Sequence, residues 1–296
     1  GIRDSVASRG LGDVYKRQHF LLTLTSLFWA FNTIAGRAAV DEVSPLLVVS
    51  VRWFFVSILL TFLCRKELFE TWKVLKYRLK WLVIMGLFGF TSFNSFYYIA
   101  AHDTIAINLG LVQGTMPAFI IIISRIWLKE KINIPQLIGV IITFVAVLLV
   151  VSSGNLYALM KLQLNKGDIV MIFACTLYAV YAVGLRKKPK IGALVLLTFF
   201  SYVAFIGSLP GLFYETFTSN LVLPGLKGII ILSIIIIFPS FLAQIFFMKG
   251  VEKIGPARSG LYTNLVPVFA SILAVLLLGE LFKFCLLYTS DAADDL

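Results

Sequence analysis

The stretch "VPVFASILAVLLLGE" (Val266–Glu280) repeats the pattern of an earlier stretch, "MPAFIIIISRIWLKE" (Met116–Glu130), at an offset of 150 residues. The matched positions are Pro117 and Pro267, Phe119 and Phe269, Leu128 and Leu278, and Glu130 and Glu280. In a chain rich in Leu, Ile and Val, matches between apolar residues are expected by chance. Matches of proline and of glutamate at the same offset are not expected by chance. The sequence therefore predicts two copies of one structural unit.

The composition indicates a protein of the lipid bilayer. Hydrophobic residues make up 59% of the chain and charged residues only 14%, whereas soluble domains have about 25% charged residues. The net charge of +11 comes from short Lys and Arg clusters between apolar runs, so no continuous basic surface for nucleic acid is expected. The cysteines Cys64, Cys175 and Cys285 lack the spacing of a disulfide framework or a metal site.

Nine apolar runs have about the length that a helix needs to cross the hydrocarbon core. They cover residues 19–39, 44–63, 81–100, 105–128, 135–152, 167–185, 192–213, 227–248 and 257–278. Backbone polar groups in hydrocarbon must be bonded within their own segment, which predicts α-helices. The short alternating segments of a membrane β-barrel are not seen. The predicted fold class is an all-α polytopic membrane protein.

Lys and Arg are distributed unequally between the two sets of connections. With the N-terminus inside, the cytoplasmic connections contain sixteen of these residues and the outer connections four. Positive residues are enriched in the cytoplasmic loops of membrane proteins. We therefore predict a multi-pass protein of the bacterial inner membrane with a cytoplasmic N-terminus.

The repeat is predicted to be inverted. Near the start of each unit, "LFWAFNTIAGR" (Leu27–Arg37) matches "TLYAVYAVGLR" (Thr176–Arg186) at an offset of 149 residues. A complete unit contains five helices, and because five is odd, the second copy enters the membrane from the opposite side. Two such halves are related by a pseudo-two-fold axis in the membrane plane, and they can open a central site to either side in turn.

The same stretches carry a family resemblance. The segment "SLFWAFNTIAGRAAVDEVSPLLVVSVRWFFVSILL" and the two proline–glutamate stretches resemble the EamA domain of the drug/metabolite transporter superfamily. The resemblance covers residues 19–284. It implies a ten-helix transporter built from two repeats, here residues 19–152 and 153–284. It also implies that the first, third, fourth, sixth, eighth and ninth helices line a central cavity.

Both ends of the chain differ in character from the rest. Residues 1–18 are polar, and residues 285–296 read "CLLYTSDAADDL"; both resemble translated sequencing-adapter read-through. We expect the two tails to lie outside the fold and the tenth helix of the second repeat to be missing. In that case apolar residues of the last two helices, such as Phe269, Leu273 and Leu277, would face lipid.

Polar side chains within the apolar runs are the candidates for the cavity, because such residues are costly in hydrocarbon. The candidate substrate-cavity residues are Trp29, Asn32, Thr33, Thr91, Asn94, Tyr98, Asn108, Gln113, Tyr178, Tyr181, Gln244, Tyr262 and Asn264. Each of them could instead bond neighbouring helices together, as Ser, Thr, Asn and Gln often do in membranes.

A few further residues receive a more specific interpretation. Pro117 and Pro267 are predicted to bend their helices and to act as hinges or static kinks. Glu280, like Glu130, is expected to anchor a loop. Arg52 lies well inside the second helix and is interpreted as an interhelical or snorkelling residue, with contact to an anion as the alternative. No carboxylate is expected at mid-membrane depth.

The sequence thus predicts a transporter that moves a small amino acid-like, neutral or zwitterionic metabolite, or a drug, by alternating access, most simply as an exporter. The alternatives are a non-transporting scaffold or receptor and an intramembrane enzyme, but no motif of a nucleophile–base pair or metal cluster is present. We expect no catalytic residue, no cofactor, no metal and no nucleic acid partner. The expected partners are a small-molecule solute and the lipid bilayer, and a monomer and a homodimer both remain open.

Overall fold

The computed structural model describes residues 2–129, 131–132, 134–151, 165–218, 221–254, 259 and 262–280. Within these ranges the chain forms nine helical spans and no strand. They are α1 (Ile2–Ala38), α2 (Pro45–Tyr77), α3 (Leu79–Asp103), α4 (Ala106–Leu128), α5 (Ile134–Val151), α6 (Lys166–Lys187), α7 (Ala193–Phe217), α8 (226–254) and α9 (Tyr262–Leu278). Glu130, the 152–164 connection and the tail 285–296 lie outside the described residues.

Six of the spans, α2, α3, α4, α6, α7 and α8, are long and apolar enough to cross a membrane, and α9 is a shorter apolar helix. Their backbone hydrogen bonds are made within each segment, as hydrocarbon requires. The prediction of an all-α polytopic membrane protein is confirmed.

Two helices extend beyond the apolar runs that predicted them. The polar residues before position 19 continue the first helix, since α1 is continuous from Ile2; that these residues lie outside the fold stays a prediction. Likewise α2 continues past a kink at Cys64 to Tyr77, through residues expected to form a loop. Lys, Glu and Leu in this extension are good helix formers. Hydropathy marks the part of a helix that lies in lipid, whereas backbone propensity decides where the helix ends.

Helix packing follows a two-fold pattern that matches the sequence repeat. The contacts of α3 with α6 correspond to those of α8 with α1, and the contacts of α4 with α6 correspond to those of α9 with α1. The pairs α2–α7 and α4–α9 join each helix to its own equivalent. In addition, α3 contains a π-helical segment at Leu87–Ser92, and α8 contains one at the equivalent place, Ile236–Leu242.

The direction of the helices shows that the repeat is inverted. Arg37, at the end of α1, donates from Nη1 to the carbonyl of Ala101 at the end of α3, at 2.9 Å. Gly167, at the start of α6, packs so closely on the end of α3 that an added Cβ would lie 2.8 Å from the Ala100 oxygen. Therefore α1 ends at the same face at which its equivalent, α6, begins.

The interior is filled by large side chains from both halves. Trp53, Tyr97, Tyr98 and Phe200 are among the largest fully buried residues. Small residues allow helices of different halves to approach closely, as is usual between membrane helices. An added Cβ at Gly207 of α7, for example, would lie 2.7 Å from Oγ1 of Thr91 on α3.

The face on which a tenth helix was expected differs in detail from the prediction. Leu277 of α9 is exposed, as expected, but Phe269 and Leu273 are only partly exposed. Val268, Ile272 and Leu276 are exposed on the same helix. They follow each other at intervals of four residues, so they form one stripe.

Candidate functional site

Arg52 is the centre of a buried polar cluster between the helices. Its guanidinium donates from Nε to Oγ of Ser240 at 2.8 Å. Its Nη1 donates to Oδ1 of Asn94 at 2.9 Å, to the hydroxyl of Tyr98 at 2.8 Å and to Oδ1 of Asn32 at 3.3 Å. The partners lie on α1, α3 and α8, and Arg52 is only 4% exposed. The interhelical role predicted for Arg52 is confirmed, and the arginine does not snorkel to the surface.

The amide and phenol groups of the cluster are bonded to each other as well. The Tyr98 hydroxyl donates to Oδ1 of Asn32 at 2.7 Å, and Tyr97 donates to Oγ1 of Thr33 at 2.8 Å. Asn94 donates from Nδ2 to the carbonyl of Phe90 at 2.6 Å. These bonds orient the acceptor oxygens of Asn32 and Asn94 toward the guanidinium.

The π-helical segments position two of the cluster's residues. Ser240 lies inside the segment Ile236–Leu242 and donates to the carbonyl of Ile235, five residues earlier. Its lone pairs therefore remain available to accept from Arg52. Asn94 follows directly after the segment Leu87–Ser92. π-Segments are rare and frequently occur at functional sites.

Trp53 completes the cluster on one side. The guanidinium carbon of Arg52 lies 4.9 Å from the centre of the Trp53 ring, which is a cation–π distance. The indole itself is buried, and among the described residues its Nε1 has no hydrogen-bond partner. Likewise, no Asp or Glu in the described part of the chain forms an ion pair with Arg52.

Aromatic rings line the contact between α3 and α6. Tyr181 packs directly on the backbone of Gly89, where an added Cβ would overlap the ring, and it meets Phe90 edge-on with 5.5 Å between the ring centres. Tyr178 lies 5.0 Å from Phe93 and 5.3 Å from Tyr181. This aromatic contact joins the two halves next to the polar cluster.

Two carboxylates of the second half meet the start of α4. Asp168, which is 1% exposed, accepts from Oγ1 of Thr104 at 2.6 Å and from Nδ2 of Asn108 at 3.1 Å. Glu280 accepts from the backbone N–H groups of Ala106 at 2.8 Å and Ile107 at 3.0 Å. It thus caps a helix of the other half, which differs from the loop anchor that the sequence predicted.

The structure brings some candidate cavity residues together and separates others. Asn32, Asn94 and Tyr98 share the Arg52 cluster, with Thr33 next to it. Thr91 instead bonds the carbonyl of Val203 on α7. The remaining placements are Trp29 against Phe247, Tyr262 against His19, Gln113 and Gln244 half-buried, and Asn264 exposed. A role of any of them in binding stays a prediction.

Three polar features of the structure were not predicted from the sequence. These are the Tyr97–Thr33 bond, the carboxylate of Asp168 on Thr104 and Asn108, and the open indole N–H of Trp53. A buried arginine within an apolar run was the signal for such a cluster, because its donors require acceptors from neighbouring helices.

The two prolines lie at helix starts rather than in helix interiors. α4 is divided at Gly114 and Thr115 into Ala106–Gln113 and Met116–Leu128, and Pro117 is the second residue of the latter. In α9 a 3₁₀ turn, Tyr262–Asn264, precedes Leu265–Leu278, and Pro267 is its third residue. A proline in the first turn has no intrahelical hydrogen bond to break, and a role of Pro117 and Pro267 as hinges or static kinks stays a prediction.

Comparisons with known proteins agree with this architecture. The family model described as "EamA-like transporter family" matches the chain twice, over residues 16–152 and 165–287. The uncharacterized transporter YyaM of Bacillus subtilis (strain 168) is 28% identical over 197 residues, which are 65% of this chain and 63% of that protein. An uncharacterized transporter of Archaeoglobus fulgidus is 24% identical over 89% of this chain and 91% of its own.

The fold is also similar to a solved one. A crystal structure superposes with a TM-score of 0.60 and 20% identity, covering 92% of this chain and 91% of the other. At this identity the likeness concerns the fold alone.

Proposed function

Because the chain belongs to the EamA-like transporter family, we propose that this membrane transporter exports a small neutral or zwitterionic metabolite by alternating access. We further propose that it lies in the cytoplasmic membrane with its N-terminus inside, since most Lys and Arg are then in cytoplasmic connections. The family and the relatives are described as transporters and not as enzymes.

The observation that carries the proposal is the Arg52 cluster at the contact between the inverted halves. Residues of α1, α2 and α3 meet Ser240 of α8 there through hydrogen bonds. In transporters with inverted repeats the substrate site lies at the repeat interface, next to discontinuous helices. Here α4 and α9 are the discontinuous helices.

In this proposal the start of α4 forms a gate at the predicted outer face. Glu280 and Asp168 bond the first turn of α4 and the residue Thr104 before it. These contacts hold the second half against the first, and opening toward the outside breaks them. When the gate opens, these few hydrogen bonds are replaced by hydrogen bonds to water, so the net free energy cost of opening stays small.

The proposal is tested by comparing metabolites in the medium of cells that express the protein with those of cells that carry an empty vector. Each solute that accumulates is then measured for flux in proteoliposomes. The Asn94→Ala variant should lose most of the flux, since it removes an acceptor of the cluster. Ser233→Ala is the matched control, because Ser233 is exposed on α8 and its hydroxyl bonds, among the described residues, only the carbonyl of Ile229. Absence of flux of every solute in the wild-type protein would contradict the proposal.

A further inference from the structure

We propose that Arg52 binds a carboxylate group of the transported solute, so that the substrates are small molecules with a single carboxylate. This inference rests on the proposed transport function and revises its class of solute at the same site: the transported solute carries one carboxylate, either in a zwitterion or in a monoanion.

The first argument is the balance of charge. A buried ion without a counter-ion is costly in a medium of low dielectric constant. Arg52 is buried, and its described acceptors on Asn32, Asn94, Tyr98 and Ser240 are all neutral. Hydrogen bonds and the Trp53 ring reduce the cost but leave one positive charge. A ligand with one negative charge neutralises the cluster, whereas a dianion leaves it with a net charge of the opposite sign.

The second argument is the set of donors that remain open. The described hydrogen bonds of Arg52 use Nε and Nη1 and none uses Nη2. The Nε1–H of Trp53, in cation–π contact with the guanidinium, is also without an acceptor among the described residues. The indole N–H is buried, and a buried donor without an acceptor costs free energy. A carboxylate has two acceptor oxygens, one for Nη2 of Arg52 and one for Nε1 of Trp53. Its negative charge balances the positive charge of the guanidinium.

The third argument links binding to motion. The bond from Arg52 Nε to Ser240 connects the first half to the second, whereas the bonds from Nη1 stay within the first half. A carboxylate that draws the guanidinium toward itself competes with Ser240 for that bond. Binding therefore weakens a contact between the two halves. A ligand shifts the equilibrium between two conformations only if its interactions differ between them, and the loss of the Ser240 bond is such a difference.

The experiment measures ligand-induced thermal stabilisation of the full chain, purified in detergent in a chloride-free sulfate buffer. The probes are acid–amide pairs of equal shape: L-phenylalanine and L-phenylalaninamide, L-leucine and L-leucinamide, and benzoate and benzamide. Sodium chloride is tested separately as a small inorganic anion. We expect at least one acid to stabilise the protein and its amide to bind about tenfold more weakly or worse, because the charge-assisted bond is lost. No stabilisation by any acid, equal binding of acid and amide, or equal stabilisation by chloride would overturn the proposal.

Variants then identify the group that recognises the acid. Arg52→Gln should remove the preference for the acid, and Arg52→Lys should retain part of it, because lysine keeps the charge but not the planar fork. Arg37→Gln is the matched control, since Arg37 bonds a backbone carbonyl at the end of α3, outside the cluster. An unchanged acid preference in Arg52→Gln would mean that Arg52 only joins helices. If Arg52→Gln does not fold, the acid–amide pairs on the wild type and on Arg52→Lys still decide.

The two proposals fail in distinguishable ways. Flux of a solute without a carboxylate, unaffected by Arg52→Lys, would overturn the substrate class and leave transport intact. Acid-specific binding without flux of any solute in proteoliposomes would support the carboxylate site and contradict the transport function.

Discussion

At the scale of single residues, carboxylates hold the helix ends together at the predicted outer face. Glu280 accepts from the first two N–H groups of α4, and Glu215 of α7 accepts from the N–H of Leu46 in the first turn of α2, at 3.1 Å. The first N–H groups of a helix have no intrahelical partner and carry a partial positive charge. Each carboxylate therefore joins a helix of the second half to a helix of the first.

Replacing Glu280 tests the contribution of such a cap. Glu280→Ala leaves the N–H groups of Ala106 and Ile107 without their acceptor, and loss of a helix cap costs about 1 kcal/mol. We expect a lower melting temperature in detergent, and a smaller loss for Glu280→Gln, which keeps one acceptor oxygen. Glu70→Ala, at an exposed position of α2, is the control. A melting temperature equal to that of the control would contradict the capping role.

Gly89 tests the closeness of α3 and α6. In Gly89→Ala the new methyl group overlaps the Tyr181 ring, and overpacking of this kind costs about 1–3 kcal/mol. Gly139→Ala in α5 meets no described atom within 4 Å and should be neutral or slightly stabilising, because alanine favours helix. The double variant Gly89→Ala/Tyr181→Ala should be less destabilised than the sum of the single changes. Additive effects would show that the two residues do not touch.

At the scale of helices, the apolar runs predicted the number of described spans but neither their ends nor their breaks. α2 continues to Tyr77 because its polar extension has high helix propensity, which hydropathy does not measure. The division of α4 at Gly114 and Thr115 lies within an apolar run, so no change in polarity marks it. The prolines did indicate irregular backbone nearby. However, each proline lies in the first turn of the helical piece that follows the irregularity, and not at the irregularity itself.

The prolines at helix starts should therefore be nearly neutral to substitution. Pro117 is exposed in the first turn of its helical piece, so Pro117→Ala should change the stability by less than about 1 kcal/mol. Pro210 is exposed in the interior of α7, and Pro210→Ala restores a backbone hydrogen bond that proline cannot make. We expect only the second variant to raise the melting temperature. A large loss in Pro117→Ala would show that the ring itself maintains the break in α4.

At the scale of the whole molecule, the inverted repeat was predictable because matched Pro and Glu residues and an odd helix count are properties of the sequence. The pairing of α3 with α6 and of α8 with α1 was not, since apolar helices carry no signal for a particular neighbour. Polarity within apolar runs singled out Asn94 and Tyr98, which both accept a hydrogen bond from Arg52, and their role in binding stays a prediction. It failed to separate them from Thr91, whose hydroxyl bonds a carbonyl of α7.

The proposed orientation can be tested with single cysteines. Cys64 and Cys175 are buried, and after Cys285→Ser, a cysteine introduced at an exposed position in a connection or at the end of a helix reports its side of the membrane. A membrane-impermeant maleimide should label Lys227→Cys in intact cells and Lys188→Cys only after permeabilisation. The reverse pattern would place the N-terminus outside, and labelling of both in intact cells would contradict the span count between these residues.

The two π-helical segments have a consequence for the ancestry of the chain. A π turn arises when one residue too many is accommodated within an α-helix, and it weakens the hydrogen bonds locally, so such turns are rare. Leu87–Ser92 and Ile236–Leu242 occupy equivalent places in the two halves. One insertion in a common precursor, copied when its gene was duplicated and fused, explains both with a single event. By this account the precursor already carried the irregular turn.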